Sequence, residues 1–177
     1  MRKLILLLFL LPSIAFGQTT AIPDTAFEQA LINLGYDTGT PDGSVLTASI
    51  DTVTYLWMQN QSISDLTGIQ DFTALTYLDC RYNQLTSLDV SNNTALDTLW
   101  CAENQLTSLD ASNNTALTFL YCNGNQLTSL DVSNNTALSY LECDTNQLTT
   151  LDVRNGNNTN FGYFNASGNS GLTCISV

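Results

Sequence analysis

The sequence predicts a repeat solenoid: parallel β-strands stacked in about six coils of 21–23 residues, mostly β with little helix, behind a short N-terminal capping helix. Three observations carry this prediction. A 21-residue unit recurs almost letter for letter, from Leu75 to Ala95, Leu96 to Ala116, Leu117 to Ala137, and again from Leu138. A shorter period of 10 and 11 residues is nested inside each unit. A single amphipathic stretch precedes the repeats, where an open stack needs a cover.

In chain order, residues 1–17 come first and read as a cleaved secretory signal. Met1, Arg2 and Lys3 form a positive start, Leu4 to Leu11 an apolar run, and Ala15-Phe16-Gly17 a small-x-small cleavage signal. The run is too short for a membrane span, which needs about 20 residues. Loss of Arg2 and Lys3 takes the net charge from −12 to −14, with Arg81 and Arg154 as the remaining cations. Such a surface repels phosphate backbones and anionic membranes, so neither nucleic-acid binding nor membrane insertion after cleavage is expected. The chain has no histidine, which removes the usual general base and most zinc sites. No cofactor and no metal ligand set is predicted.

Residues 18–52 read as an N-terminal cap. A helix is expected over about 24–34, with Thr25 and Glu28 as a capping box, Phe27, Ala30, Leu31 and Leu34 on its apolar face, and Gly35 ending it. The Asp37-to-Val45 stretch has a faint look of a calcium loop. It lacks oxygen ligands at the required positions, so a turn is the expectation.

The solenoid is expected over residues 53–177. Each unit carries L-x-x-L-x-C-x-x-N-x-L, as in Leu75, Leu78, Cys80, Asn83 and Leu85. Degenerate units begin at Val53 and at Phe161. The pattern resembles the leucine-rich-repeat consensus. Within a coil, L-x-x-L-x-apolar-x-x-N returns as Leu85, Leu88, Val90 and Asn93, which predicts two extended segments with an Asn-bearing turn after each. Asn83, Asn104, Asn125 and Asn146, with Asn93, Asn114 and Asn135, should bond the backbone of adjacent coils. Cys80, Cys101, Cys122 and Cys143 occupy the place of a core residue and are expected as buried free thiols, with Cys174 outside their column. Short strands or turns are expected on the back, because 21 residues leave no room for a full helix there.

Together, IPDTAFEQALINLGYDT, ISDLTGIQDFTAL and the LTSLDVSNNTAL units resemble exported, cell-surface leucine-rich-repeat proteins of bacteria, broadly internalin-like. The resemblance implies an adhesion or protein-interaction module, often within a longer chain that carries a C-terminal sorting segment. The sequence reaches Val177 without one, so either a fragment of a longer chain or weaker retention at the surface is expected.

The first strand of each coil turns a variable, aromatic side outward. Its candidate binding residues are Tyr55, Trp57, Tyr77, Tyr82, Trp100, Phe119, Tyr121 and Tyr140, and Tyr163 continues the same column. Exposed Trp and Tyr favour interfaces. Asp79, Thr98, Glu103 and Glu142 are expected to face solvent among them. The second segment offers a monotonous Thr86, Thr107, Thr128, Thr149 column and an Asp89, Asp110, Asp131, Asp152 column, read as scaffold. The expected function is extracellular or cell-surface protein binding, adhesin-like, on the aromatic face. Carbohydrate binding or a purely structural spacer are the alternatives. The partner expected is a host, matrix or neighbouring surface protein, with a glycan second. Catalysis is not expected, since Glu103 and Glu142 lie two coils apart on an open face rather than in a pocket.

Overall fold

The computed structural model describes residues 17–157, 159 and 161–176, so the proposed signal segment, apart from Gly17, lies outside the described residues. One six-stranded parallel sheet organises the chain. Its strands are β3 (Tyr55–Trp57), β4 (Tyr77–Asp79), β5 (Thr98–Trp100), β6 (Phe119–Tyr121), β7 (Tyr140–Glu142) and β9 (Tyr163–Asn165), in that spatial order. Pairing is in register: Leu56, Leu78, Leu99, Leu120, Leu141 and Phe164 follow one another across the sheet. One stacked column therefore corresponds to one position of the repeat, about 4.8 Å per coil. The leucines of that column are fully buried, as are Cys80, Cys101, Cys122 and Cys143 two residues on.

All five described cysteines are free, four buried and Cys174 exposed. Burial pushes the thiols of Cys80, Cys101 and Cys122 well above their ordinary range, and neighbouring thiols add to it. Cys143 is pushed up to about 12, again mainly by burial. They pack as small apolar groups and are poor nucleophiles.

Two Asn columns bind the coils together, but not equally. Asn104 accepts from the Leu85 N–H at 3.0 Å and donates to the carbonyls of Cys80, Cys101 and Ala102 at 3.0–3.2 Å. Asn83, Asn125 and Asn146 repeat the pattern. Asn93, Asn114 and Asn135 donate across coils in the same way, yet their Oδ1 atoms are buried without a hydrogen-bond partner.

The back of the coil differs from the expected second extended segment. Among the described residues it forms a strand only at β8 (Thr150–Asp152), paired in parallel with β10 (Cys174–Ser176), and a bridge joins Asp131 to Asp152. Elsewhere the back consists of bends and turns. The aspartates explain this: Oδ1 of Asp89, Asp110, Asp131 and Asp152 accepts the backbone N–H two residues on, at Ser91, Ser112, Ser133 and Arg154. Each is an Asx-turn that fixes the bend locally and competes with a ladder. The column is therefore not merely like charges stacked.

These bonds hold the carboxylates of Asp89 and Asp110 below the usual range, through Ser91 and Ser112 respectively. Arg154 lowers Asp152 to about 2. A depressed folded-state pKa contributes stability that is fully present above the unfolded value of 3.8 and is lost as pH falls through the folded value. The melting temperature should therefore be flat above about pH 5 and drop between about pH 4 and 2. Replacing Asp89, Asp110 and Asp152 together by Asn, which keeps the turn acceptor but cannot titrate, should shallow that drop. An unchanged acid transition in the triple variant would contradict the assignment.

The cap comprises β1 (Thr19–Ala21), α1 (Thr25–Leu34), β2 (Ser44–Leu46) and the short α2 (Thr47–Ile50), with β1 and β2 antiparallel. The helix does not use the expected Thr25–Glu28 capping box. Asp24 is the N-cap, accepting from Ala26 and Phe27 N–H through Oδ1. Its Oδ2 accepts from Ser64 N–H, Ser64 Oγ and Asp65 N–H, which staples the helix start to the first coil. Partial burial opposes the Asp24 charge, but these donors, led by the Ser64 hydroxyl, keep its pKa below the usual range. Glu28, fully buried, points instead to the loop and accepts from Asp42 and Gly43 N–H at 2.7 and 2.9 Å. Residues 37–43 form a turn supported by that carboxylate. Phe27, Ala30 and Leu31 are buried as expected, while Leu34 stays 43% exposed, one position past the edge of the packed face. Gly35 ends the helix at φ 83°, with its own N–H and that of Tyr36 returning to Ile32 and Leu31 carbonyls.

Candidate functional site

In-register strands place side chains at the same repeat position one above another, so the aromatic residues of the first strand become a ladder. Tyr55 stacks on Tyr77 with centroids 4.1 Å apart and planes 8° apart. Tyr77 meets Trp100 edge-on at 5.2 Å, and Trp100 meets Tyr121 edge-on at 5.0 Å. Tyr121 stacks on Tyr140 at 4.9 Å, and Tyr140 on Tyr163 at 4.6 Å. Phe119 leans on Tyr140 at 5.9 Å. The contact runs unbroken across all six strands. Such pairs stabilise a sheet by about 0.5–1.5 kcal/mol each beyond burial.

The structure thus places the eight candidate residues on one face but divides them. Tyr77, Trp100, Tyr121 and Tyr140 are half-buried against each other. Tyr55, Trp57, Tyr82 and Phe119 stay 40–56% exposed. Among the described residues no ring packs on Trp57 or Tyr82. Tyr163, outside the candidate set, closes the ladder at its far end.

Two residues expected to face solvent do not. Asp79 is 1% exposed and Thr98 8%, both covered by the large side chains of adjacent coils. Asp79 is matched by Arg81, whose Nε and Nη2 donate to its two oxygens at 3.0 and 2.8 Å. The guanidinium also lies 4.1 Å from the centroid of the Trp100 ring. Arg81 was missed in the sequence. Its signal was present, since both cations of the described chain stand two residues after an Asp, and Arg154 makes the same paired contact with Asp152.

Burial chiefly raises the Tyr77 phenol, with the Tyr55 contact and Asp79 adding to it. Tyr140 is raised to about 12, first by its contact with Tyr121. The face is neutral in its rings at physiological pH.

The turn after each first strand adds one more element. Residues at the eighth repeat position all adopt left-handed backbone: Asn60, Tyr82, Glu103, Gly124, Thr145 and Gly168. Gly and Asn take this conformation readily, whereas Tyr, Glu and Thr do so at a cost. Tyr82 is thus held out to solvent at φ 56° beside the ladder. Glu103 lies over Gly124, where an added Cβ would meet its carboxylate. Among the described residues no group of three or more His, Cys, Asp or Glu converges as a metal site, and no helix is long and apolar enough to cross a membrane.

The model of the Leucine Rich repeats (2 copies) family matches residues 73–114 and 94–135. The functional domain of InlJ from Listeria monocytogenes, described as including a cysteine ladder, superposes with a TM-score of 0.73 over 90% of this chain at 37% identity. The chain is an internalin-like leucine-rich-repeat protein. Internalin J of Listeria monocytogenes is 52% identical to it over 42 residues, 24% of this chain. An internalin (inlF) of the same species shares the fold at 19% identity, with a TM-score of 0.61 over 88% of this chain and 56% of the other. This internalin-like chain spans 38% of the InlJ structure, and its sequence match spans 5% of internalin J. The Cys80–Cys143 column is the counterpart in this chain of what the InlJ description calls a ladder. A fold of this kind is a protein-interaction scaffold.

Proposed function

We propose that the chain is an extracellular or cell-surface, adhesin-like module that recognises a protein partner on its variable aromatic strand face. The observation that carries the reading is the aromatic ladder with its exposed margin. Rings needed only for sheet stability would be covered by their neighbours, as Tyr77 and Tyr140 are. Tyr55, Trp57, Tyr82 and Phe119 instead keep large apolar area in water, which soluble proteins rarely do without use. Tyr and Trp are also the residues on which interface energy concentrates. The leader-like residues 1–17 and the acidic surface support an exported location.

The test separates binding from stability. Tyr55, Tyr82 and Phe119 are replaced together by Ser, and capture of matrix and host surface proteins is compared with wild type. Binding should fall by about 100-fold or more, since two or three hot-spot residues carry about 2 kcal/mol each. The melting temperature should hold, because exposed side chains contribute little to folding. Replacing Thr86, Thr107 and Thr128 by Ala on the back should leave binding unchanged. Binding that survives the first variant and is lost in the second would move the site to the back.

A further inference from the structure

We infer that Trp57 forms, with the capping helix, a saccharide-binding subsite for a neutral pyranose, separate from the protein-binding ladder. A sugar ring needs an aromatic face that is open, because its apolar C–H face lies flat on the ring. The ladder does not offer this. Tyr140 is stacked on both sides, Tyr77 is stacked by Tyr55 and abutted by Trp100, and Trp100 carries Arg81 over one face. Their edges, not their faces, reach solvent. Trp57 is 54% exposed and, among the described residues, has no ring or cation packed on it.

Its surroundings have the remaining chemistry. Two shallow hollows meet at Trp57, one of ≈ 130 Å³ lined by Ala30, Asn33, Leu34, Trp57 and Gln61, the other of ≈ 260 Å³ lined by Trp57, Gln59 and Gln61. In a chain of net charge −12 every one of these side chains is neutral. Each amide is partly committed. Gln61 Nε2 donates to the Gln59 carbonyl at 3.1 Å, Gln59 Oε1 accepts from Arg81 at 3.5 Å, and Asn33 Oδ1 accepts from Gln29 at 3.0 Å. That leaves Gln61 Oε1 to accept, and Gln59 Nε2 and Asn33 Nδ2 to donate, around the ring. Sugar hydroxyls both donate and accept, so a mixed rim of planar amides suits them, whereas a charged ligand finds no counter-ion here. The backbone of Gln61 is fixed by its N–H bond to Asn83 Oδ1 at 3.1 Å, and the left-handed residues Asn60 and Ser62 flank it. An exposed apolar Leu34 borders the hollow, giving the second wall for a C–H face. Both hollows are open, which fits a sugar lying on the surface rather than one enclosed.

Wild type and Trp57→Ala are screened on an array of neutral, sialylated and sulfated glycans, and hits are titrated in solution by calorimetry. At least one neutral oligosaccharide should bind wild type saturably. Trp57→Ala should weaken it by more than about ten-fold, and Gln61→Ala by several-fold. Trp57→Tyr should restore part of the affinity, and Tyr140→Ala should leave it unchanged. The melting temperature of each variant checks the fold. Binding of charged glycans only, binding indifferent to Trp57, or no saccharide binding at all would overturn the inference. So would competition at Trp57 by the protein partner alone. Because Tyr55, Tyr82 and Phe119 are left intact, failure here leaves the ladder reading standing, and failure of the ladder test leaves this one standing.

Discussion

Replacing Asn104 by alanine should lower the unfolding free energy by about 3 kcal/mol, the larger of two very different results from the two Asn columns. The Leu85 N–H has Asn104 Oδ1 as its partner at 3.0 Å and is left buried and unpaired in the variant, which costs about 1–3 kcal/mol. The three carbonyls served by Asn104 Nδ2 fare better. Cys80 keeps Asn83, Cys101 keeps Asn125, and Ala102 keeps the Tyr82 N–H, so each loses strength rather than its last partner. Asn114→Ala should cost only about 1 kcal/mol. Its Oδ1 has no partner to lose, and the Val90 and Asn93 carbonyls retain the Asn93 and Leu96 N–H groups. Urea unfolding followed by circular dichroism measures both. Equal losses in the two variants would contradict the assignment of the columns to unequal roles.

Gly68→Ala should cost about 4 kcal/mol and loosen the cap. Gly68 sits at φ 105°, a backbone state that side chains rarely adopt, which alone costs about 1–3 kcal/mol. A Cβ there would also press into the Ile22 side chain and lie 2.6 Å from the Ala21 carbonyl oxygen. Backbone cannot step aside as a flexible side chain can, so β1 must shift from the first coil. The same junction holds Thr20, whose hydroxyl donates to Asp71 at 2.6 Å. A thermal melt with limited proteolysis should show a lower transition and earlier cleavage among residues 19–50. A change within about 0.5 kcal/mol would mean the cap is not seated as described.

The repeat was legible because its period is dictated by stacking: a residue that fails its column leaves a hole in the core. Leu78, Cys101, Asn104 and Leu120 could be placed from spacing alone. Residues whose roles depend on a neighbouring coil were harder to read. Asp79 and Thr98 alternate outward in sequence yet lie buried, because Arg81 and the rings of adjacent strands fold over them. The Asp89 column read as repelling charges, since an Asx-turn depends on which N–H the bend brings round. In the cap, Thr25 and Glu28 have capping-box spacing, but Asp24 serves both the helix and Ser64 of the first coil. A contact across 40 residues outweighs the local motif. The aromatic face was visible as a column. Its division into mutually covered rings and open ones was not, because ring orientation is not encoded in spacing.

That division leads to the measurement closest to the central proposal. Hydroxyl-radical footprinting of the chain, alone and with a captured partner, reads aromatic side chains directly. The account predicts protection at Tyr55, Trp57, Tyr82 and Phe119, with little change at the already covered Tyr77 and Tyr140 and none along the Thr86-to-Thr149 back. Protection confined to the back, or an aromatic face as reactive in the complex as in the free chain, would contradict it.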